Sequence, residues 1–211
     1  MPKNFFLSHP LSKPQDGPVS RYFNRWFSGF VSRLLIKTNA TPNQVSAIIL
    51  LLSGPMLIAG LYGQIAIAGI ILQIASILDG VDGEIARTKC ISSKFGGLLD
   101  TVSDYWIDSI GILSLGLAIA EKSMLSESII LLLVALTVTT RLISQFVVKS
   151  IPGAKPHLFR DTRDVVTFLI FIGAILTEVL NTPLYLLIIL LTVNVWRLDN
   201  MIYQMLIFRR A

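Results

Sequence analysis

Six predominantly apolar stretches divide most of this 211-residue chain, and they constrain its fold more than any other feature. They cover residues 43–62, 65–86, 95–120, 127–149, 165–180 and 183–208. A helix of about 20 apolar residues crosses the hydrocarbon core of a bilayer, and these stretches are typical of such helices. Because only 15% of the residues are charged and 53% are hydrophobic, the composition excludes a water-soluble surface. The sequence therefore predicts an all-α integral membrane protein with six transmembrane helices.

The residues before the first stretch fall into two parts. Residues 1–17 contain three of the nine prolines, which predicts a flexible leader. In residues 18–38, aromatic and aliphatic side chains recur at helical spacing between arginines, a pattern typical of an amphipathic juxtamembrane helix at the headgroup level. Thr41 followed by Pro42 indicates a helix start, so we expect residues 39–211 to form one transmembrane domain.

The net charge of +5 comes from basic residues in the short segments between apolar stretches. With the N-terminus in the cytoplasm, nearly all of them lie inside, and only Lys122 falls in an external loop. Such asymmetry is typical of membrane topology rather than of nucleic-acid binding. We therefore expect both termini on the cytoplasmic side, membrane lipid as the surroundings and no nucleic-acid partner. The single cysteine, Cys90, excludes an intramolecular disulfide.

Acidic residues are concentrated in one part of the chain. Six of the thirteen lie within 30 positions, and they are Asp79, Asp82, Glu84, Asp100, Asp104 and Asp108. Carboxylates within membrane helices are costly, so such a cluster indicates function. The cations nearby in sequence (Arg87, Lys89 and Lys94) are too few to neutralise it, whereas divalent metal ions prefer carboxylate oxygens. The alternative is a transporter that moves cations or protons along the same carboxylates. In either case, the second and third spans would bring the cluster together near the cytoplasmic surface.

The spacing of these residues resembles a known signature. The segment from Asp79 to Asp104 is similar at every fixed position to D-x2-D-G-x2-A-R-x8-G-x3-D-x3-D of the CDP-alcohol phosphatidyltransferase family. The resemblance implies an enzyme that transfers a substituted phosphate group from a CDP-alcohol donor to an acceptor alcohol and releases CMP. It implies two divalent ions (Mg²⁺ or Mn²⁺) and a homodimer. The implied metal ligands are Asp79, Asp82, Asp100 and Asp104, with Asp104 also the general base, and the implied nucleotide-binding residues are Gly83, Ala86, Arg87 and Gly96.

The acceptor alcohol is suggested by arginines outside this motif. An arginine within a span needs an anionic partner or a wet cavity, and a phosphate group would supply forked hydrogen bonds to it. We therefore predict that an acceptor phosphate is bound by Arg141, Arg160, Arg163 and Arg197. Segments 16–25 and 160–164 also resemble the branch of the family that contains di-myo-inositol-phosphate-phosphate synthases. The expected acceptor is inositol phosphate or a related phosphorylated polyol, and the alternative within the family is glycerol phosphate with a CDP-lipid donor.

Overall fold

The computed structural model describes residues 17–150 and 162–210, and these residues are helical almost throughout, without a strand. One π-helical turn, Ser20–Asn24, leads into the first of eight α-helices in the described part of the chain. The helices are α1 Arg25–Ile36, α2 Pro42–Leu51, α3 Ser53–Leu61, α4 Ile65–Thr88, α5 Lys94–Lys122, α6 Glu127–Ser150, α7 Arg163–Val179 and α8 Leu184–Arg210. The prediction of an all-α chain is confirmed, whereas the predicted leader lies almost wholly outside the described residues.

Five helical segments among the described residues are long and apolar enough to cross a membrane. They are Pro42–Leu61, Ile65–Thr88, Lys94–Lys122, Glu127–Val147 and Leu184–Leu206. The first joins α2 and α3, which are separated at Leu52; Pro55 follows closely and cannot donate a backbone hydrogen bond to the preceding turn. The fifth of the six predicted spans, residues 165–180, corresponds to α7, which is not among these five segments. Helix α7 has 17 residues and rises about 26 Å, slightly less than the hydrocarbon thickness of about 30 Å.

Local sequence signals explain where the helices begin and turn. Thr41 caps α2, since its side chain accepts from the backbone N–H of Gln44, and the Gln44 side chain accepts from the Thr41 N–H. Ser93 caps α5 by accepting from the N–H of Gly96 at 3.0 Å. Gly63 has φ +66° in the predicted turn before α4, a conformation that favours glycine. The prediction that a helix starts at Thr41 and Pro42 is therefore confirmed, with Thr41 as the N-cap.

Helix α4 lies at the centre of the bundle and contacts α1, α2, α3, α5 and α7. Small residues allow α4 and α7 to pack closely, because a β-carbon at Gly69 would lie only 2.6 Å from the Ala174 β-carbon of α7. The C-terminal end of α4, which carries Asp79 to Arg87, is therefore surrounded by other helices rather than exposed in a loop.

Helix α1 turns its polar face toward the protein. Arg25, Ser28 and Ser32 are buried, while Trp26 and Phe30 are 72% and 64% exposed. A helix on a water-soluble protein would do the opposite. The predicted amphipathic helix is thus present, with its aromatic residues on the side that is free to meet lipid; its position at the headgroup level stays a prediction.

Candidate active site

A cleft of about 280 Å³ opens between the C-terminal end of α4 and the N-terminal end of α5. Its lining includes all four predicted nucleotide-binding residues and three of the four predicted metal ligands. These are Gly83, Ala86, Arg87, Gly96, Asp79, Asp82 and Asp100. The motif residues therefore share one concave surface, although eight positions without a fixed residue separate Arg87 from Gly96 in the chain.

Two further helices complete the cleft. Helix α1 and the turn before it contribute Ser20, Asn24, Arg25 and Ser28, and the start of α2 contributes Pro42, Asn43 and Ser46. Sequence reasoning missed these residues, because serine and asparagine near helix starts are common as caps and carry no metal or nucleotide signature of their own. Polar residues at helical spacing in a segment otherwise rich in aromatics were an available signal.

Three carboxylates lie close enough to share a metal ion. One oxygen from each of Asp79, Asp100 and Asp104 lies within 4.8 Å of the other two. Asp100 and Asp104 share a face of α5 because they are one helical turn apart, and α4 supplies Asp79. All three ligands are hard oxygen donors, the type that Mg²⁺ and Mn²⁺ prefer. The donor set therefore fits the divalent ion that the motif implies.

Asp82, the fourth predicted ligand, lies outside this group of three. It is 5% exposed, and its Oδ2 accepts a hydrogen bond from Ser46 Oγ at 2.7 Å. It lines the same cleft as Asp79 and Asp100. The structure thus places Asp82 beside the carboxylate group and joins it to α2.

Arg163, at the start of α7, contacts three carboxylates at once. Its Nη1 lies 2.7 Å from Asp104 Oδ1 and 3.1 Å from Asp79 Oδ2, and its Nε lies 3.1 Å from both oxygens of Asp108. The sequence argument counted only cations close in the chain and did not include this guanidinium, which lies 55 residues beyond Asp108 and contributes one compensating charge. Arg163 thereby connects the carboxylate group to the arginines of α6 and α8.

Asp108 lies one turn beyond Asp104. It forms ion pairs with two arginines and is not part of the group of three carboxylates. Arg141 Nε donates to its Oδ2 at 3.0 Å, and Arg163 Nε approaches the same oxygen at 3.1 Å. The Arg141 guanidinium also lies 5.8 Å from the centre of the Tyr105 ring, within cation–π distance. Arg141 thus has the anionic partner that an arginine within a span needs, and the protein itself supplies this partner in Asp108.

The remaining predicted arginines differ in position. Arg197 is 2% exposed, and its Nη1 donates to the Thr137 carbonyl oxygen at 3.1 Å. Arg163 and Arg197 line one small, partly open pocket together with Asp108 and Thr167. Among the described residues, Arg163 Nη2 is buried without a hydrogen-bond partner. Arg160 lies outside the described residues, so the structure brings together three of the four predicted arginines around Asp108 and this pocket.

Curated proteins and a family profile show similarity to this chain. The profile of the CDP-alcohol phosphatidyltransferase family matches residues 39–196. The "Bifunctional IPC transferase and DIPP synthase" of Thermococcus kodakarensis is 43% identical over 93 residues, which are 44% of this chain and 21% of that protein. The "Archaetidylinositol phosphate synthase" of Pyrococcus horikoshii is 39% identical over 83 residues, 37% of this chain and 42% of that protein. The matched regions thus span less than half the length of these relatives.

The fold is similar to that of a solved membrane enzyme. The crystal structure of Mycobacterium tuberculosis phosphatidylinositol phosphate synthase with CDP-DAG bound has a TM-score of 0.72. The comparison covers 85% of this chain and 92% of that one at 16% identity. The structure of the same enzyme with manganese and citrate also has a TM-score of 0.72, with 86% and 88% covered at 16% identity. At this identity the likeness concerns the fold alone. Together with the five apolar helical segments, it indicates an integral membrane protein.

Proposed function

This chain belongs to the CDP-alcohol phosphatidyltransferase family, and on that premise we propose that it transfers a substituted phosphate group from a CDP-alcohol donor to an acceptor alcohol. The observation that supports this most directly is the three-carboxylate group of Asp79, Asp100 and Asp104, located beside a cleft lined by the rest of the motif. The cation transporter weighed from the sequence gives no role to Gly83, Ala86 and Arg87 in that cleft, so the transferase is preferred.

The metal and donor sites follow from the lining of the cleft. Asp79, Asp100 and Asp104, with Asp82 beside them, would hold two divalent ions (Mg²⁺ or Mn²⁺), which when bound neutralise the diphosphate of the donor. Gly83, Ala86 and Gly96 offer small surfaces on which the nucleotide can lie close to the backbone. Arg87 is exposed at the mouth of the cleft, where it can contact the diphosphate.

The reaction needs one proton acceptor and one leaving group. The acceptor hydroxyl attacks the phosphorus that carries the donor alcohol, the pyrophosphate bond breaks, and CMP leaves with the bonding electrons. The hydroxyl proton passes to a carboxylate, and we assign Asp104 to this role. Asp104 Oδ1 lies 2.7 Å from Arg163 Nη1, so the proposed base is also next to the proposed acceptor site.

The acceptor is proposed to be inositol phosphate or a related phosphorylated polyol. Arg163, Arg141 and Arg197 are gathered around Asp108 and a small pocket on the α7 side of the carboxylate group. Arginine guanidinium groups recognise phosphate by paired hydrogen bonds, and Arg163 Nη2 is a buried donor available for one. Arg160 belongs to the same proposal from its sequence context. The name of the Pyrococcus horikoshii relative, an archaetidylinositol phosphate synthase, agrees with this choice.

A phospholipid synthase is the second candidate within the same chemistry. Its donor would be a CDP-lipid and its acceptor glycerol phosphate or inositol phosphate, and it is favoured by the fold shared with an enzyme crystallised with CDP-DAG. The two candidates differ in the group attached to the β-phosphate of the donor, which lies outside the motif.

One assay separates these candidates. CMP release would be measured with purified protein, Mg²⁺ or Mn²⁺, and either CDP-inositol or CDP-diacylglycerol, each with and without inositol phosphate or glycerol phosphate. Acceptor-dependent CMP release with CDP-inositol supports the first candidate, and release only with the lipid donor supports the second. Absence of CMP release with every donor and acceptor would contradict the proposed function.

Three aspects of the whole molecule belong to the same proposal. We infer that α7 also spans the membrane and brings the number of spans to six, that both termini and the cleft are on the cytoplasmic side, and that two copies form a homodimer. The short α7 is long enough if the bilayer thins or flanking residues extend toward the surface. Labelling of introduced cysteines at each end of the helices tests the sidedness, and cross-linking in native-like lipid tests the dimer, which a purely monomeric result would contradict.

A further inference from the structure

One buried carboxylate of α4, Glu84, holds the juxtamembrane helix α1. It accepts hydrogen bonds from Arg25 Nη1 at 2.7 Å, Ser28 Oγ at 2.9 Å and Ser32 Oγ at 2.5 Å. The three donors lie on one face of α1 because they are spaced three and four residues apart. Glu84 is only 4% exposed, so these contacts are made away from solvent.

Glu84 occupies a position that the family motif leaves free, directly after Gly83. One turn earlier, Arg25 Nη1 approaches the Gly80 carbonyl oxygen at 3.4 Å. A β-carbon at Gly80 would lie 3.1 Å from Ser28 Oγ and 3.2 Å from Arg25 Nη1. Helix α1 therefore contacts α4 along the turn that separates the cleft residues Asp79 and Gly83.

The face of α1 that contacts Glu84 continues into the cleft. Arg25 and Ser28 bind Glu84 and also line the cleft, next to Asn24 and Ser20. Asn24 is oriented by α4 as well, since its Oδ1 accepts from Gln73 Nε2 at 2.9 Å and its Nδ2 donates to Ser76 Oγ at 3.3 Å. The cleft thus has one side formed by the motif and a facing side formed by hydroxyl, amide and guanidinium groups of α1.

Stability alone is a weak reason for this arrangement. A buried ion pair contributes little compared with apolar residues of similar size, because both charges lose their hydration. The directional hydrogen bonds of Glu84 fix the position of α1 along α4, whereas apolar packing would allow several positions. The polar groups that it fixes are suited to hydrogen-bond a nucleotide.

We propose that Glu84 is a positioning residue for the nucleotide half of the donor: it holds the polar residues Asn24 to Ser28, at the start of α1, at the distance from Gly83 that a bound CDP moiety requires. This inference rests on the proposed function, since it takes a CDP-alcohol as the ligand. It assigns to α1 the role of a nucleotide-contacting element in addition to its place beside the membrane.

The test measures CDP binding without turnover, by calorimetry on the purified full chain with Mn²⁺ at a fixed concentration. Glu84→Gln is compared with Glu178→Gln as a matched control. Glu178 makes an exposed ion pair of 3.2 Å with Lys122, and neither residue lines the cleft. We expect Glu84→Gln to raise the Kd for CDP by about tenfold or more, as misplaced supporting groups commonly do, and Glu178→Gln to leave it unchanged. Glu84→Asp, which keeps the charge, should give an intermediate Kd.

Ser32→Ala provides a second variant if Glu84→Gln does not fold. Ser32 binds Glu84 but is not among the residues that line the cleft, so its removal disturbs the position of α1 without removing a nucleotide contact. It should raise the Kd for CDP less than Glu84→Gln does, and it should leave the KM for the acceptor unchanged. Equal effects on donor and acceptor constants would indicate general loosening of the fold and would overturn the proposal.

The outcomes separate this inference from the proposed function. If the wild-type protein binds CDP and a folded Glu84→Gln variant binds it within about twofold, the positioning role is overturned while the proposed function stands. If wild-type protein with Mn²⁺ binds no CDP, the proposed function and this inference both fail. A tenfold weaker affinity in Glu84→Gln, with an unchanged Kd in Glu178→Gln, supports the inference.

Discussion

The pairing of Asp108 with two arginines yields a prediction about stability, tested by Asp108→Asn. The substitution keeps the size of the side chain and one carbonyl oxygen, but it removes the charge between Arg141 and Arg163. Arg163 retains its Nη1 contacts with Asp104 at 2.7 Å and Asp79 at 3.1 Å, so most of its compensation survives. Arg141 is 5% exposed and loses the one carboxylate that it contacts among the described residues.

The expected magnitude follows from these contacts. Breaking a buried ion pair by removing one partner costs roughly 3–5 kcal/mol. Because only one of the two arginines loses its carboxylate partner, and because the amide oxygen remains an acceptor, we expect about 3 kcal/mol, the lower end of that range. For a chain of this length, each kcal/mol lowers Tm by about 2–4 °C, so the expected decrease is roughly 6–12 °C.

Thermal unfolding in one detergent and at one metal concentration measures this decrease. Glu178→Gln is the matched control, since its ion pair with Lys122 is 30–39% exposed and worth at most about 1 kcal/mol. The double variant Asp108→Asn/Arg141→Met removes both charges and should recover part of the lost stability. If Asp108→Asn lowers Tm no more than Glu178→Gln does, the claim that Asp108 compensates the buried arginines is wrong.

Three further predictions concern the reaction. Excess chelator should abolish CMP release, and Asp100→Asn should weaken Mn²⁺ binding, measured by paramagnetic resonance, by about tenfold or more; full turnover in chelator would contradict the metal requirement. Gly83→Leu should weaken CDP binding in calorimetry while Tm stays close to that of the wild type, because its side chain would project into the cleft; normal affinity would place the nucleotide elsewhere. Arg163→Ala should raise the acceptor KM about ten- to a hundredfold, the effect of losing a charge-assisted hydrogen bond of about 1.5–3 kcal/mol, and it should raise the donor KM less, because Arg163 also contacts Asp79 and Asp104. Equal use of unphosphorylated inositol, or an unaltered acceptor KM, would show that Arg163 binds no acceptor phosphate.

Residues close in the chain were the ones that sequence reasoning could relate to one another. The helix bounds followed from apolar length and from the cap at Thr41, which acts over three residues. The shared face of Asp100 and Asp104 followed from the pitch of a helix, and the family followed from spacing over 26 positions. These inferences needed only the geometry of single helices and of one tight helix pair.

Contacts between distant helices required the tertiary structure. Arg163 was assigned to an acceptor phosphate from its sequence context, yet it also contacts Asp79, Asp104 and Asp108 across the bundle. Glu84 was counted among the acidic residues of the motif region, yet its hydrogen bonds go to Arg25 and two serines of α1, 52 to 59 residues earlier. Periodicity shows which face of a helix a side chain occupies, but not which helix meets that face.

The sequence by itself determined the membrane-embedded helical class and the family and predicted the site residues, because each depends on composition, helical pitch or spacing along one segment. The tertiary structure decided which carboxylates form a group, with Asp79, Asp100 and Asp104 together, Asp82 joined to Ser46, and Asp108 joined to arginines. It also decided that α1 turns its polar face inward and completes the cleft. The physical reason is that ion-pair choice depends on distances of a few ångströms between helices, and those distances are set by the packing of the whole bundle.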